Sequence, residues 1–404
     1  MSFSEWKNVK LSDVIIFKNG RKKPDDDGDI PIYGGNGILG YTNKFNSENV
    51  VIIGRVGAFC GSVYYEPGKC WISDNAISVQ PINENSVKYA YYVLNSLQLN
   101  QRRIGTGQPL LTQNILNNIS TIYPGAAEQK VIADTISCID EKIDLNNDIN
   151  KNLEEMVHTI FKSWFVDFEP FKDGYFEDSK LGSIPKGWKI GTLSELITDT
   201  LGGDWGKEIA QGNFVEEVTC IRGADIPKIA SGKKGKPATR FILKKNLEKK
   251  QLSAGQIIIE ISGGSPSQST GRTALITEEL VAIADKPLIC TNFCRALSLK
   301  KNIHSTFVYS MLQYLYSIDL FFQYENGTTG IKNLDTNNLF NKYQIVLPTD
   351  EIMVKYEAVF STLIKSIYKN GGQSDKLSII RDTIIPKLMS GEIRVPLEGG
   401  VMID

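Results

Sequence analysis

From residue 132 onward, apolar side chains recur at alternating steps of four and three: Ile132, Ile136, Ile139 and Ile143, then Leu153, Val157, Ile160 and Trp164. That spacing is a heptad seam and predicts one long amphipathic helix. The two seam positions in its middle are polar, Asn146 and Asn150, and a buried Asn layer fixes helix register at a cost in stability. Shifted by 224 residues the pattern returns as Tyr356, Phe360, Leu363 and Ile367, then Asn370 and Ser374, then Leu377, Arg381, Ile384 and Leu388. A helix of about 38 residues, roughly 57 Å long, is costly with its stripe bare, so the economical arrangement packs the two against each other, antiparallel. Gly371-Gly372 predicts a kink or short break in the second. Taken alone, such stripes also suit ordinary core helices of a larger fold.

The shared polar layer belongs to an internal repeat. EWKNVKLSDVI (5–15) returns as GWKIGTLSELI (187–197), pairing Trp6 with Trp188 and Leu11 with Leu193 at an offset of 182. GTGQPLLTQNILNNISTIYP, ending at Pro124, matches GTTGIKNLDTNNLFNKYQIVLP, ending at Pro348, at the helix offset of 224. The difference of 42 residues makes a constant frame around a longer insert in the second half. Each half also carries β-rich, glycine-punctuated runs such as NVVIIGRVGAFCGSVYY (49–65) and GQIIIEISGG (255–264), with helical stretches at 86–97 and 305–318. The expected class is α+β: two mixed α/β domains related by a pseudo-two-fold axis and joined by two long antiparallel coiled-coil helices. The expected boundaries are 1–123 and 187–347 for the domains, 124–170 and 348–395 for the helices, 171–186 for a linker and 396–404 for a tail.

Composition narrows this further. The 404 residues, 41% apolar and 23% charged, fit a globular chain of two or three domains. No apolar run approaches the roughly 18 residues of a membrane span, and MSFSEWKNVK has no signal core, so a cytoplasmic protein is expected. Six cysteines without a CxxC, and only two histidines, predict reduced core thiols and no metal site. The net charge of -1 hides segregation: nine basic residues against Glu248 between Lys228 and Lys250, but ten acids against four lysines between Glu128 and Glu169.

The basic and polar loops are candidates for DNA contact, because phosphates need cations and base edges are read by Arg, Lys, Asn and Gln. In the first half these are Lys18, Asn19, Arg21, Lys22 and Lys23, with Arg55. In the second they are Trp205, Lys207, Arg222, Lys233, Lys234, Lys236 and Arg240. The loop SGGSPSQSTGRT (262–273) offers Ser265, Ser267, Ser269 and Thr270 to a backbone, with Gln268 and Arg272 as readers of bases. Matched glycine loops add Arg103, Thr106 and Gln108 in one half and Thr328, Thr329 and Lys332 in the other. Solvated faces and plain surface turns remain the alternative reading. Catalysis has no foothold: GGNGILG (34–40) lacks a βαβ setting, and no Walker loop, methyltransferase tetrapeptide or HExxH occurs. The acidic residues at 25–29 read as a turn.

The two-repeat frame resembles the specificity subunit of type I restriction-modification systems. The segments that carry the resemblance are EQKVIADTISCIDEKID (128–144), FKSWFVDFEPF (161–171), LGSIPKGWKIGTLSEL (181–196) and IIPKLMSGEIRV (384–395). PIYGGNGILGYTN (31–43), with Tyr33, Asn36 and Tyr41, and ISGGSPSQSTGR (261–272) resemble its target-recognition segments. The resemblance implies a non-catalytic chain with no cofactor of its own, whose two target-recognition domains each read half of a bipartite, asymmetric double-stranded DNA site. It also implies two methyltransferase subunits carrying S-adenosylmethionine, restriction subunits using ATP and Mg, and no membrane. The competing reading is a coiled-coil scaffold for other proteins without direct DNA readout.

Overall fold

The computed structural model describes residues 6–105, 107, 109–327 and 331–396. It divides into two compact units: unit 1 is Met1–Lys142 with Leu377–Asp404, and unit 2 is Ile143–Lys376. The class is mixed helix and sheet, and both unit boundaries fall inside long helices.

Unit 1 opens with β1 (Lys7–Lys10) and the short α1 (Leu11–Val14). A six-stranded sheet follows, ordered β2-β7-β5-β6-β3-β4. Its strands are β2 (Ile15–Asn19), β3 (Ile30–Gly34), β4 (Gly37–Thr42), β5 (Ser47–Gly54), β6 (Val63–Ile72) and β7 (Ala76–Pro81). On β5, Val51 and Ile53 enter one apolar cluster and Val50 and Ile52 another. Successive strand residues point to opposite faces, so a run covered on both faces reads as continuously apolar. Helix α2 (Val87–Ser96) is capped by Ser86, whose Oγ accepts from Tyr89 N, and α3 (Gln113–Asn117) by Thr112 in the same way. β8 (Ser120–Tyr123) returns to pair with β1 and leads into α4 (Ala126–Phe165), a 40-residue helix.

Unit 2 repeats this frame. After the hairpin β9 (Phe176–Ser179) and β10 (Gly182–Pro185) come β11 (Lys189–Thr192) and β12 (Ile197–Gly202). The longer insert brings β13 (Phe214–Ile221), α5 (Ile226–Ala230), β14 (Ala238–Leu243) and α6 (Lys244–Lys250). Next are β15 (Ile257–Glu260), β16 (Ser262–Gly263), β17 (Thr273–Leu275), α7 (Glu278–Ile283), β18 (Leu288–Cys290) and β19 (Cys294–Leu299). The unit closes with α8 (His304–Ser317), β20 (Glu325–Asn326), β21 (Lys332–Leu334), α9 (Thr336–Lys342), β22 (Gln344–Leu347) and α10 (Asp350–Ser390). The ladder of unit 1 pairs Lys7 with Tyr123 and Lys10 with Ser120; that of unit 2 pairs Lys189 with Leu347 and Thr192 with Gln344. The offsets of 182 and 224 carry one ladder onto the other in register.

In unit 1 the seam residues Ile132 and Ile136 are buried with Leu388 and Met389, while Ile139, Leu377 and Ile384 are half-buried. The start of α4 is tied down by Glu128, which accepts from Trp6 Nε1 at 3.1 Å and takes the Arg394 guanidinium at 2.7 Å. In unit 2 Ile143, Tyr356, Phe360 and Ile367 are buried, and Leu153, Val157, Ile160 and Leu363 only half-buried. The deepest apolar residues at the end of α4 are Phe161 and Phe165, one position beyond the expected Ile160 and Trp164. A straight helix of 3.6 residues per turn drifts off a strict 3.5 repeat, and these two rings follow the drift.

The glycine pair corrects an expectation, because α10 runs unbroken through Gly371-Gly372. A Cβ on Gly371 would lie 2.3 Å from Gly232 O and 2.9 Å from Ser231 O. Gly232 itself, at φ +75°, admits no Cβ against Ile367 O. Gly371 is therefore a seat for a loop that lies directly on the helix backbone, while Gly372 faces open space. Beside it Asn150 Nδ2 donates to Ser231 O at 3.1 Å and Ile367 O at 3.0 Å, and Asn146 Nδ2 to Gln373 Oε1 at 3.0 Å and Ser374 Oγ at 3.3 Å. Asn370 Nδ2 completes the layer by donating to Asn150 Oδ1.

All six cysteines are unpaired, and Cys138 departs from expectation by lying exposed on α4. Among the described residues no helix is long and apolar enough to cross a membrane.

Candidate nucleic-acid interface

The candidate loops are held by backbone bonds that recur in both units. In unit 1 Gly20 N donates to Ala76 O and Arg21 N to Ile72 O; in unit 2 Gly203 N donates to Cys294 O and Asp204 N to Cys290 O. Only glycine fits the first position, because a Cβ would lie 2.0 Å from Ser73 O at Gly20 and 2.1 Å from Thr291 O at Gly203. Arg55 N then donates to Asn75 O and Leu111 N to Arg55 O; correspondingly, Ile261 N donates to Phe293 O and Leu334 N to Ile261 O. Ile104 pairs with Leu110, and Glu325 with Leu334, an equivalent pairing in the two units. Each unit thus gathers three segments at one edge: the loop after its first sheet strand, a turn between two later strands, and this late pairing.

In unit 1 this edge presents Lys18, Asn19, Arg21, Lys22 and Lys23 exposed, with Arg103 exposed next to the Ile104–Leu110 pair. Asn36 and Tyr41 are exposed on the β3–β4 hairpin. Arg55 is half-buried and donates to Asp74 O at 3.3 Å, and Arg103 to Ala58 O at 3.4 Å. Tyr33 is a correction: it is buried, its hydroxyl donates to Glu66 at 3.0 Å, and burial followed by that bond pushes its pKa far up. Thr106, Gln108, Thr328 and Thr329 lie outside the described residues.

Unit 2 keeps Lys207, Lys234, Lys236, Ser267 and Gln268 exposed and Lys233 and Ser265 half-buried. Three of its guanidiniums are committed to carboxylates, which corrects the expectation of Arg272 as a reader of bases and of Arg222 and Arg240 as DNA contacts. Arg272 grips Glu260 through two bonds of 2.9 and 2.6 Å, and that bonding holds its pKa above the ordinary value. Arg222 makes the same fork to Asp225, at 2.9 and 3.0 Å, and is likewise raised. Arg240 is buried over the Trp205 ring at 3.7 Å and pairs with Glu208 at 3.1 Å. Glu260 is only 3% exposed. Breaking such a buried pair costs about 3–5 kcal/mol, against about 1–3 kcal/mol from a good base contact, so Arg272 stays where it is. Ser269 and Thr270 are buried, the former accepting from the Tyr316 hydroxyl and the latter donating its N–H to Glu325. Lys332 is held by Glu325 at 2.7 Å, and Lys234 pairs with Asp285.

Sequence reasoning missed the apolar members of these edges. Phe59 and Ile104 in unit 1 and Phe293 and Ile331 in unit 2 are large and exposed among polar neighbours. The turn TNFC (291–294), aligned with SDNA (73–76), was the available signal, since Phe293 stands where the first repeat has Asn75. Among the described residues no group of three or more His, Cys, Asp or Glu is placed to hold a metal ion.

Residues 3–155 match the family model described as the type I restriction modification DNA specificity domain. The MjaIX type I restriction enzyme specificity subunit of Methanocaldococcus jannaschii is 27% identical over 324 residues, 76% of this chain and 69% of that protein. The HindI specificity subunit of Haemophilus influenzae is 24% identical over 343 residues, 70% of this chain and 71% of its own length. Among solved structures, the S subunit of a type I restriction-modification system from M. genitalium aligns with a TM-score of 0.63 at 18% identity, covering 95% of this chain and 96% of that one. The repeated frame, the paired loop edges and these likenesses agree: residues 3–155 match the type I restriction modification DNA specificity domain, and most of the chain is similar to type I restriction enzyme specificity subunits.

Proposed function

We propose that this chain is the DNA-specificity subunit of a type I restriction-modification complex, in which each unit's loop edge reads one half of a bipartite, asymmetric site. The observation that carries this reading is the recurrence of one loop-lacing pattern in both units around different side chains. A shared scaffold with different readers is what a site of two unlike halves requires. In this reading 1–123 and 187–347 are target-recognition domains related by a pseudo-two-fold axis, and α4 and α10 form the antiparallel spacer that sets the gap and docks two methyltransferase subunits. A 40-residue helix spans roughly 60 Å, more than the roughly 34–36 Å of one turn of B-DNA.

The chain itself contributes recognition and no chemistry. S-adenosylmethionine belongs to the methyltransferase subunits, and ATP with Mg to the restriction subunits. Exposed lysines such as Lys22, Lys23, Lys207 and Lys236 take phosphates, releasing counterions, while side chains at the loop edges read bases. With a net charge of -1 the isolated chain binds DNA weakly, and the partners supply much of the clamp.

The test is sequencing of adenine methylation in cells expressing the partner methyltransferase with and without this chain. A bipartite motif that vanishes with the chain supports the reading. If methylation persists unchanged, a scaffold role replaces it.

A further inference from the structure

The two loop edges differ in the chemistry they leave free. Unit 1 carries Arg21, Arg55, Arg102 and Arg103 in its loops; among the described residues none of the four pairs with a carboxylate, and the side-chain bonds of Arg55, Arg102 and Arg103 are single ones to backbone oxygens. Unit 2 has four arginines. Arg222, Arg240 and Arg272 are bound to Asp225, Glu208 and Glu260, and Arg295 donates to Thr336. The forked cation that takes guanine O6 and N7 together is therefore at hand in the loops of one unit, whereas in the other three arginines are committed to carboxylates and the fourth, Arg295, is a half-buried residue of β19.

What unit 2 exposes instead is amide and hydrocarbon. Phe293 is 50% exposed and Ile331 62%. The turn that carries Phe293 is rigid, because its carbonyl accepts from Ile261 N at 2.8 Å and Ser262 N at 3.2 Å. Ser262 in turn pairs with Asn333 across β16 and β21, so the Phe293 turn is laced to the strand that carries Asn333, two residues on from Ile331. Gln268, Asn292 and Asn333 are exposed in the same unit, and among the described residues Asn333 keeps its Nδ2 donor free while its Oδ1 accepts from Ser262 Oγ. Amides suit adenine N6 and N7, and an exposed ring or aliphatic side chain suits the thymine C5-methyl, which A·T pairs alone present in the major groove.

Resting on the recognition function proposed above, we infer that the halves are read by different chemistry. Unit 1 reads guanine with its uncommitted arginines, and unit 2 reads A·T pairs with its amides and with Phe293 and Ile331 against thymine methyl groups.

The experiment uses the complex of the full chain with its methyltransferase subunits and the duplex identified by methylation sequencing. Crosslinking of 5-iodouracil placed at single thymines assigns each half-site to the unit whose peptides it labels. 7-Deazaguanine, which lacks the N7 acceptor, and deoxyuridine, which lacks the methyl, are then placed in one half at a time. Deazaguanine should lower affinity about tenfold or more in the half read by unit 1 and less than about threefold in the other. Deoxyuridine should lower it about threefold to tenfold in the half read by unit 2, and Phe293→Ala, a change at a half-exposed side chain, should remove that sensitivity while Phe293→Leu retains part of it. Equal or reversed analogue patterns, or a Phe293→Ala complex still sensitive to deoxyuridine, overturn the inference while leaving recognition intact. A complex that prefers no duplex over a scrambled one overturns the recognition reading as well.

Discussion

Gly371→Ala tests whether the middle of α10 is a seat for a loop or only a weak stretch of helix. In an open helix the change from Gly to Ala is stabilising by about 0.8–1.0 kcal/mol. Here the new Cβ would lie 2.3 Å from Gly232 O and 2.9 Å from Ser231 O, about 1 Å and about 0.4 Å inside the roughly 3.3 Å at which carbon meets carbonyl oxygen. The loop must lift, and lifting it strains the Asn150 bond to Ser231 O, worth about 1 kcal/mol net. Overpacking of this kind costs about 1–3 kcal/mol. After the helix-propensity gain is subtracted, Gly371→Ala should destabilise unit 2 by about 1–3 kcal/mol. Gly372 is the internal control: no atom lies within 4 Å of its would-be Cβ, so Gly372→Ala should stabilise by up to about 1 kcal/mol. The assay is urea unfolding of the two variants side by side, followed by hydrogen exchange of residues 226–236 and 360–376. If Gly371→Ala is as stable as the native chain, the loop does not rest on the helix and the account of the polar layer fails with it.

Other outcomes follow from the same geometry. Arg272→Ala should lower the stability of unit 2 by about 3 kcal/mol or more, since it strands a buried Glu260; unfolding midpoints equal to the native chain's would show that the pair is not structural. Asn150→Ala should cost about 1–3 kcal/mol by leaving Ser231 O without its donor and removing the side-chain bond to Ile367 O, and a silent change in urea denaturation would contradict the layer. Under native conditions iodoacetamide should modify Cys138 alone, because the other five thiols are buried and burial pushes Cys70, Cys220 and Cys294 up to about 12; peptide mapping that finds those three labelled early refutes this. In the complex, Lys236→Ala should weaken binding to all sequences alike and reduce the salt slope by about 1, which titration at several salt concentrations reads directly.

Much of the molecule was legible before its coordinates. The repeat could be read because a frame that must rebuild the same ladder keeps its residues at fixed offsets, as Lys7 with Tyr123 and Lys189 with Leu347 show. The long helices could be read because a buried stripe imposes its period on the sequence, and the apolar runs of β5 and β15 because both of their faces are covered. Periodicity also named the polar layer at Asn146 and Asn150.

Partnership was not legible. Arg272 and Glu260 are 12 residues apart and meet only because β15 and the segment before β17 pair, so composition counted a free cation where the fold has a closed ion pair. Gly371-Gly372 has low helix propensity in sequence, yet a loop some 140 residues away makes that backbone the one place it can rest. Tyr33 stood in a segment resembling a target-recognition segment as a candidate for DNA contact, and is instead a buried strand residue bonded to Glu66. Local pattern is set by local backbone geometry and burial, which a sequence carries along its length. Which charge meets which, and which ring remains in solvent, is decided by contacts between distant segments, and these exist only once the chain has folded.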